Sequence, residues 1–533
     1  MKIRYISLRY SALFVLLVCF GSLSAQREDK SFDNFQVAWQ LITNFYVDSV
    51  NKEELSRIAI EAILNKLDPH SILIPAEEVA AMNEPLDGNF EGIGIEFAIV
   101  EDTLTVLSAV SGGPSEKAGI AAGDRIVAVD GKSIAAVGLK NSEVQKLLRG
   151  KKGSEVVLSV YRKGQPGMRN VSVIRDKIPI NSVEAAYMAG EETGYIKINR
   201  FAANTHKEFC DAVKKLKSEG MDNLILDLRG NGGGYLKAAL DIVDEFLGNN
   251  RLILYTEGKS VSKKNYYSTR NGLWQKGNLI LLLDEGSASA SEIVAGAIQD
   301  WDRGIVVGRR SYGKGLVQRP FTLPDGSEIR LTIANYYTPS GRSIQKPYSN
   351  GIKEYRSEIN ERYSSGELLS KDSIHVNDAA YYETLVMKRA VYGGGGIVPD
   401  VFVPIDTTKY SEYYNKLLSS GAIRQYAVQY WDSNRYKLEA SYPDFKAFRD
   451  KFEVDQAMID ELEREAAIMG IGADPEGLEI SGELIRAMLK AQIARNIWGL
   501  NAYYEIINPT TSVYNKALEL MGVRNLFSAI DKY

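Results

Sequence analysis

The chain has 533 residues, 45% of them hydrophobic and 25% charged, an ordinary balance for a globular protein long enough to hold several domains. Its formal charge of −4 becomes −7 when an N-terminal segment carrying Lys2, Arg4 and Arg9 and no acidic residue is removed, which argues against nucleic acid as the main partner. The three histidines, His70, His206 and His375, are scattered with none in a ligand-spaced pair, so no metal set is expected and no cofactor is required.

Residues 1–25 read as an export signal. Lys2, Arg4 and Arg9 form a basic start, Leu13–Val18 is a short apolar run, and Ser24-Ala25 offers small residues for cleavage. The run is short for a membrane span. The expectation is an exported protein, in the periplasm where the cell has two membranes, with an uncleaved inner-membrane anchor as the alternative. Cys19 follows Val18, too large for a lipoprotein site, and cleavage leaves Cys210 as the one thiol, which excludes an internal disulfide.

Residues 26–85 form a helical segment. Phe35, Trp39, Ile42 and Tyr46 recur at helical spacing, as do Leu55, Ile58, Ala59, Ala62 and Ile63, and helical texture runs to about residue 80, broken at Asp68-Pro69. A packing or dimerisation role suits it, which leaves a homo-oligomer open. Residues 86–176 change to short strands with glycine turns: Gly92-Ile93-Gly94-Ile95-Glu96-Phe97, then Ala118-Gly119-Ile120, then Gly123-Asp124-Arg125-Ile126, a helix at Ser142–Leu148 and a strand at Val156–Tyr161. This ordering resembles a PDZ domain. The resemblance implies that the Gly92, Ile93, Gly94 and Ile95 segment holds a peptide C-terminus, with backbone amides on the carboxylate and a strand edge on the peptide.

Residues 177–405 alternate strands and helices, the pattern of a sheet covered by helices. A buried strand at 223–228 ends in Arg229-Gly230-Asn231-Gly232-Gly233-Gly234. Another at 279–284 leads into Gly286-Ser287-Ala288-Ser289-Ala290-Ser291-Glu292 and a helix, and a third at 305–307 leads to Tyr312-Gly313-Lys314-Gly315-Leu316-Val317-Gln318. Residues 406–533 return to helical texture without a readable motif.

Ser289 stands where a buried strand turns into a helix, so unpaired backbone amides face whatever its hydroxyl attacks; taken alone, such serines are commonly helix caps. A serine needs a partner to take its proton. Lys314 lies one αβ unit later, and burial would favour its neutral form, able to accept that proton and return it to the leaving amine. With Leu316–Gln318 extended, the Gln318 carboxamide is placed to hold the lysine. The glycine-rich loop turns amides towards an anion, so Gly232 or Gly233 together with Ala290 is a candidate oxyanion hole. Gly308–Lys314 has the glycine and lysine spacing of a phosphate loop, but Gly315 replaces the magnesium-binding hydroxyl, and a nucleotide site is not expected.

Taken together, these motifs and the preceding PDZ-like unit resemble the bacterial C-terminal processing (tail-specific) serine proteases over roughly residues 30–405. The segments Tyr337–Gln345 and Gly394–Asp400 fit the same pattern. The resemblance implies Ser289 as nucleophile, Lys314 as general base and Gln318 as its orienting partner, with the PDZ-like unit delivering a substrate tail. Residues 346–394 are an insertion in the protease core relative to simpler members, able to cover a tunnel, mediate assembly or bind an adaptor protein. The expected fold is multidomain α+β: helical segment, PDZ-like small barrel, α/β Ser-Lys protease core and helical extension. The expected partners are proteins or peptides with exposed C-termini. The rival is a PDZ-based scaffold, or a protease inactive until a tail peptide or partner binds.

Overall fold

The structure is a computed structural model that describes residues 30–269, 271–375, 378–523 and 525–532. Residues 1–25, read above as an export signal, lie outside them, and no helix among the described residues is long and apolar enough to cross a membrane. The chain divides into two units, residues 1–67 and 68–533. In the first, helices Lys30–Phe45 and Lys52–Leu67 carry the predicted periodicity, with Phe35 and Ile42 exposed and Tyr46 just past the helix end.

The second unit opens with a departure from the predicted helical run. The Asp68 carboxylate accepts the His70 and Ser71 amides, each at 2.8 Å, an Asx-type turn that redirects the chain. Ile72–Ile74 then pairs antiparallel with Glu328–Arg330 instead of continuing a helix, which resumes only at Ala76–Asp87. Local periodicity failed here because a long-range strand partner won.

In the six-stranded PDZ sheet, strands Ile95–Val100, Thr103–Ala109, Arg125–Val129, Glu155–Tyr161 and Met168–Ile174 run antiparallel in that spatial order, the two-residue strand Lys132–Ser133 pairs with Arg125–Val129, and helix Asn141–Leu148 closes the unit. Its core holds Leu104, Val106, Ile126, Val144, Leu158 and Val160, all fully buried. Ile95–Val100 is an edge strand, and beside it a groove of about 230 Å³ is lined by Phe90, Ile93, Gly94, Ile95, Phe97 and Leu148.

The core sheet runs in spatial order β1 (Val183–Met188), β2 (Thr193–Ile198), β3 (Asn223–Asp227), β4 (Asn278–Leu283), β5 (Ile305–Gly308) and β6 (Val401–Phe402). Only the β1–β2 pair is antiparallel. Helices α1 (Thr205–Ser218), α2 (Leu236–Asp244) and α3 (Ala290–Asp300) cover one face, packing Phe209, Val213, Ile242, Val294 and Ile298 onto Ile196, Leu226 and Leu281. The other face, Tyr195, Ile225, Ile280 and Val307, is covered by helix Ser512–Met521 of the C-terminal extension through Val513, Tyr514, Ala517 and Leu520. Parallel strands are apolar on both faces and need both covers, so the extension completes the core. Its other helices form a separate apolar cluster that takes in Val100 and Leu107 of the PDZ unit, with Arg125 bonded to Asp432 at 2.7 Å and Arg495 to Glu96 at 2.6 Å.

A second sheet carries strand Leu316–Thr322 against Glu328–Tyr337, which also pairs with Ile72–Ile74 and Leu252–Gly258.

Candidate active site

Three loops leave the carboxyl ends of adjacent parallel strands: 228–235 after β3, 284–289 after β4 and 309–315 after β5. In an open α/β sheet this is where ligands bind. The first two loops are sewn together. Gly230 donates its amide to Asp284 Oδ1 at 2.8 Å, Ser287 Oγ donates to the Leu228 carbonyl at 2.9 Å, and Asn231 O accepts the Ala288 amide at 3.0 Å and the Ser291 hydroxyl at 2.8 Å. The three neighbouring serines therefore differ. Ser287 and Ser291 are buried and spend their hydroxyls on the glycine loop, while Ser289 is half-buried and lines a cleft of about 570 Å³.

Ser289 sits immediately before α3 with φ 55° and ψ −110°, a conformation rare for any residue with a Cβ. Strain of this kind costs about 1–3 kcal/mol and persists where the surroundings fix it. Glu292 does the fixing, accepting the Ser289 amide on Oε2 at 2.8 Å. Gly233 is pressed against the same turn: a Cβ there would lie 2.7 Å from Ser289 Cβ and 2.9 Å from the Ala290 amide nitrogen, and its φ is +101°. Only glycine fits. The Gly233 amide, however, donates to Asn231 Oδ1 at 2.9 Å, so in this arrangement it is turned away from an oxyanion. The Ala290 and Gly232 amides take no partner among the described residues and are the pair left to act.

Lys314 and Gln318 line the same cleft as Ser289, with Gly232, Gly233 and Tyr336. Lys314 Nζ donates to Gln318 Oε1 at 2.9 Å, and Gln318 Nε2 donates in turn to the His70 carbonyl. Lys314 Nζ and Ser289 Oγ share no hydrogen bond in this structure. Burial pushes the Lys314 ammonium below lysine's ordinary value; the Glu292 and Asp68 carboxylates oppose that shift and Arg330 adds to it. Activity is therefore expected to rise with pH through one ionisation below 10.5, since below its pKa Lys314 has no lone pair to receive a proton. A pH profile of kcat/KM checks this; a profile with no inflection below that value would contradict it.

Two residues that sequence reasoning left without a role tie nucleophile and base together. Glu292 is fully buried and, among the described residues, in no salt bridge. Its Oε1 accepts Ser311 Oγ at 2.5 Å and the Gly313 amide at 2.7 Å, and its Oε2 accepts the Lys314 amide at 2.9 Å besides that of Ser289. Burial raises the carboxyl above its usual range and these donors counter it. Three of its four partners are backbone amides, which only donate, and Ser311 Oγ, which accepts the Ile397 amide at 2.7 Å, keeps its proton to give to Glu292, so the surroundings favour the carboxylate against burial. Tyr336, buried at the end of its strand, places its hydroxyl 3.1 Å from the Ser289 carbonyl and 2.8 Å from that of Lys314. The Gly313 and Lys314 amides that would cradle a phosphate are thus filled by the protein's own carboxylate.

The insertion braces this loop. Its helix α4 (Ile352–Ser364) carries the buried Arg362, which donates to the carbonyls of Ser311 at 3.1 Å and Arg310 at 2.6 Å and pairs with Glu367 at 2.9 Å. Arg310 also pairs with Glu367 at 2.7 Å. Glu367 keeps Arg310 when Arg362 is removed, but the Ser311 and Arg310 carbonyls lose their donor, so Arg362→Ala is expected to cost about 2–3 kcal/mol of stability and to lower kcat by loosening the Lys314 loop. Denaturant unfolding and kinetics check this; unchanged kcat would make the brace irrelevant to the site.

The cleft itself holds no metal-binding cluster among the described residues. Away from the cleft, one ligand-type atom from each of His206, Cys210 and Glu245 lies within 4.8 Å of the others. The expectation of no metal set rests on the spacing of histidines alone, whereas the i, i+4 partner of His206 is a cysteine.

The sequence profile of peptidase family S41 matches residues 192–354, that of a PDZ domain residues 92–173, and that of a family of unknown function residues 413–499. The chain is 35% identical to the carboxy-terminal processing protease CtpB of Bacillus subtilis over 322 residues, 60% of this chain and 66% of that one, so it spans just under two thirds of that relative. It is 34% identical to the carboxy-terminal-processing protease of Bartonella bacilliformis over 63% of this chain and 77% of that one. It is also 34% identical to the carboxyl-terminal-processing protease of Picosynechococcus over 63% of this chain and 86% of that one.

Proposed function

The chain belongs to peptidase family S41, among the carboxy-terminal processing serine proteases, and from that premise we propose that it is an exported endopeptidase that recognises unstructured C-terminal tails and cuts near them with a Ser289–Lys314 dyad. The observation that carries the dyad is the joint hold of Glu292 on the Ser289 and Lys314 amides, which places both groups in one cleft. Neutral Lys314 takes the Ser289 proton as Oγ bonds to the peptide carbonyl carbon. The Ala290 amide, at the positive end of α3, and the Gly232 amide hold the oxyanion. The proton then goes to the leaving amine, and water, deprotonated by the same lysine, releases the acyl group and restores the serine. Gln318 positions the lysine.

The PDZ groove beside Ile95–Val100 supports tail recognition: an edge strand for the peptide main chain and an apolar pocket for its last side chain. Export rests on the basic, apolar, small-residue order of residues 1–25. The test is cleavage of an unfolded protein with an apolar tail, compared with the same protein carrying an amidated C-terminus. Amidation removes charge-assisted hydrogen bonds and is expected to raise KM about tenfold; equal KM for both would overturn tail recognition.

One observation favours a regulated variant of this reading. The Lys314–Ser289 bond is not formed, and the PDZ unit is packed on the C-terminal helices. A resting enzyme of this kind has low basal activity that rises when a free tail peptide is added. Full activity without peptide would exclude that variant and leave the dyad standing.

A further inference from the structure

Away from the cleft, three side chains of different chemistry meet at one point. His206 and Cys210 lie one turn apart at the start of α1, and Glu245 directly follows α2. His206 Nε2 is 2.7 Å from Glu245 Oε1 and 3.3 Å from Cys210 Sγ, and Sγ is 3.6 Å from Oε1. Glu245 is buried, and its second oxygen accepts the Leu273 amide at 2.8 Å, which fixes where the first one points. His206 and Cys210 are partly exposed, so the point is reachable from solvent.

A thiol–imidazole–carboxylate relay would need the thiol at one ring nitrogen and the carboxylate at the other. Both face Nε2, and one nitrogen cannot pass a proton along such a chain. Convergence of sulfur, nitrogen and oxygen on a single point suits a cation instead, and this donor set suits a borderline-soft one. Zinc bond lengths of about 2.0–2.3 Å at tetrahedral angles place ligand atoms about 3.3–3.7 Å apart. Two of the three separations are already close to that range, and the His206–Glu245 pair needs to open by less than about 1 Å.

We propose that His206 Nε2, Cys210 Sγ and Glu245 Oε1 form a zinc-binding site. On binding, the sulfur–hydrogen bond of Cys210 breaks, its proton leaves to solvent, and the thiolate, the carboxylate and the imidazole each donate a lone pair to the ion. The site joins the start of α1 to the end of α2. These helices flank the glycine loop: the Phe201 amide donates to the Gly233 carbonyl at 2.9 Å, and the Tyr235 amide to the Phe201 carbonyl at 2.7 Å. Metal would therefore stiffen the support of that loop without touching the substrate.

The test uses the tag-free, chelator-stripped protein titrated with Co²⁺ as a spectroscopic stand-in. The expected result is one equivalent bound, with a thiolate-to-cobalt charge-transfer band that Zn²⁺ bleaches. Cys210→Ser should abolish the band with far-ultraviolet circular dichroism unchanged, and His206→Ala should weaken binding about 100-fold. In the wild type, which needs no variant to fold, Zn²⁺ should slow alkylation of Cys210 and raise the unfolding midpoint. No charge-transfer band at stoichiometric cobalt, a band that survives Cys210→Ser, or alkylation indifferent to Zn²⁺ would each overturn the site.

Discussion

Ser289→Ala is expected to lower the rate of cutting an unfolded, apolar-tailed protein by at least about 10⁴-fold, and Lys314→Ala by a similar factor. Without the serine there is no oxygen to form the acyl bond. Without the lysine the serine loses its base: Gln318 is a neutral amide, the cleft carboxylates Asp87 and Glu328 are engaged by Tyr235 and Arg330, and the Glu292 carboxylate behind the cleft is saturated by four donors. The double variant is expected to be no slower than either single one, since the two groups act as a unit. Stability controls separate chemistry from folding. Ser289 holds φ 55°, so Ser289→Gly should unfold no earlier than wild type while being equally inactive. Lys314 is disfavoured as an ammonium by burial, so its removal should not destabilise the fold near neutral pH. Retained cutting in either single variant would mean that the dyad is misassigned.

Glu292→Gln is expected to lower kcat about 10²–10³-fold with KM nearly unchanged, and to cost about 3 kcal/mol of stability. The carboxylate takes two donors on each oxygen. An amide supplies one oxygen, and its NH₂ would confront two donors, so one side of the clamp must open. With the NH₂ at the Oε2 position the Ser289 and Lys314 amides both lose their anchor; at the Oε1 position Ser311 and Gly313 lose theirs, and the loop that carries Lys314 loosens. Glu292 does not line the cleft, so substrate binding should survive and only the alignment of nucleophile and base should fail. Steady-state kinetics together with denaturant unfolding check both parts. A kcat within about twofold of wild type would show that the clamp is dispensable.

Ser289, Lys314 and Gln318 were legible in the sequence because each sits in a short motif at the end of an apolar strand, where the αβ pattern dictates that successive loops gather at one sheet edge. Glu292 was read within the serine motif but given no role, since a glutamate three residues after a serine is also an ordinary capping box. Asn231 and Tyr336 were hidden for another reason. Their work is done through contacts at sequence separations that no periodicity reports, such as Tyr336 to Ser289, 47 residues apart. The same holds for Arg362 of the insertion, whose targets Arg310 and Ser311 lie some 50 residues earlier. The cover supplied by Ser512–Met521 was illegible because an amphipathic helix does not say which sheet it serves. The strand Ile72–Ile74 reads as helix in the sequence because three apolar residues carry no period of their own, and only its pairing with Glu328–Arg330 defines it.

The central claim is that peptide cleavage passes through an ester on Ser289 formed with the help of Lys314. It is tested most directly by rapid quenching of the enzyme during turnover, followed by mass spectrometry of the protein and its digest. The account expects an acyl adduct on the peptide carrying Ser289, absent from Ser289→Ala and not accumulating in Lys314→Ala. An adduct on another residue, or turnover with no covalent intermediate under conditions that slow deacylation, would contradict it.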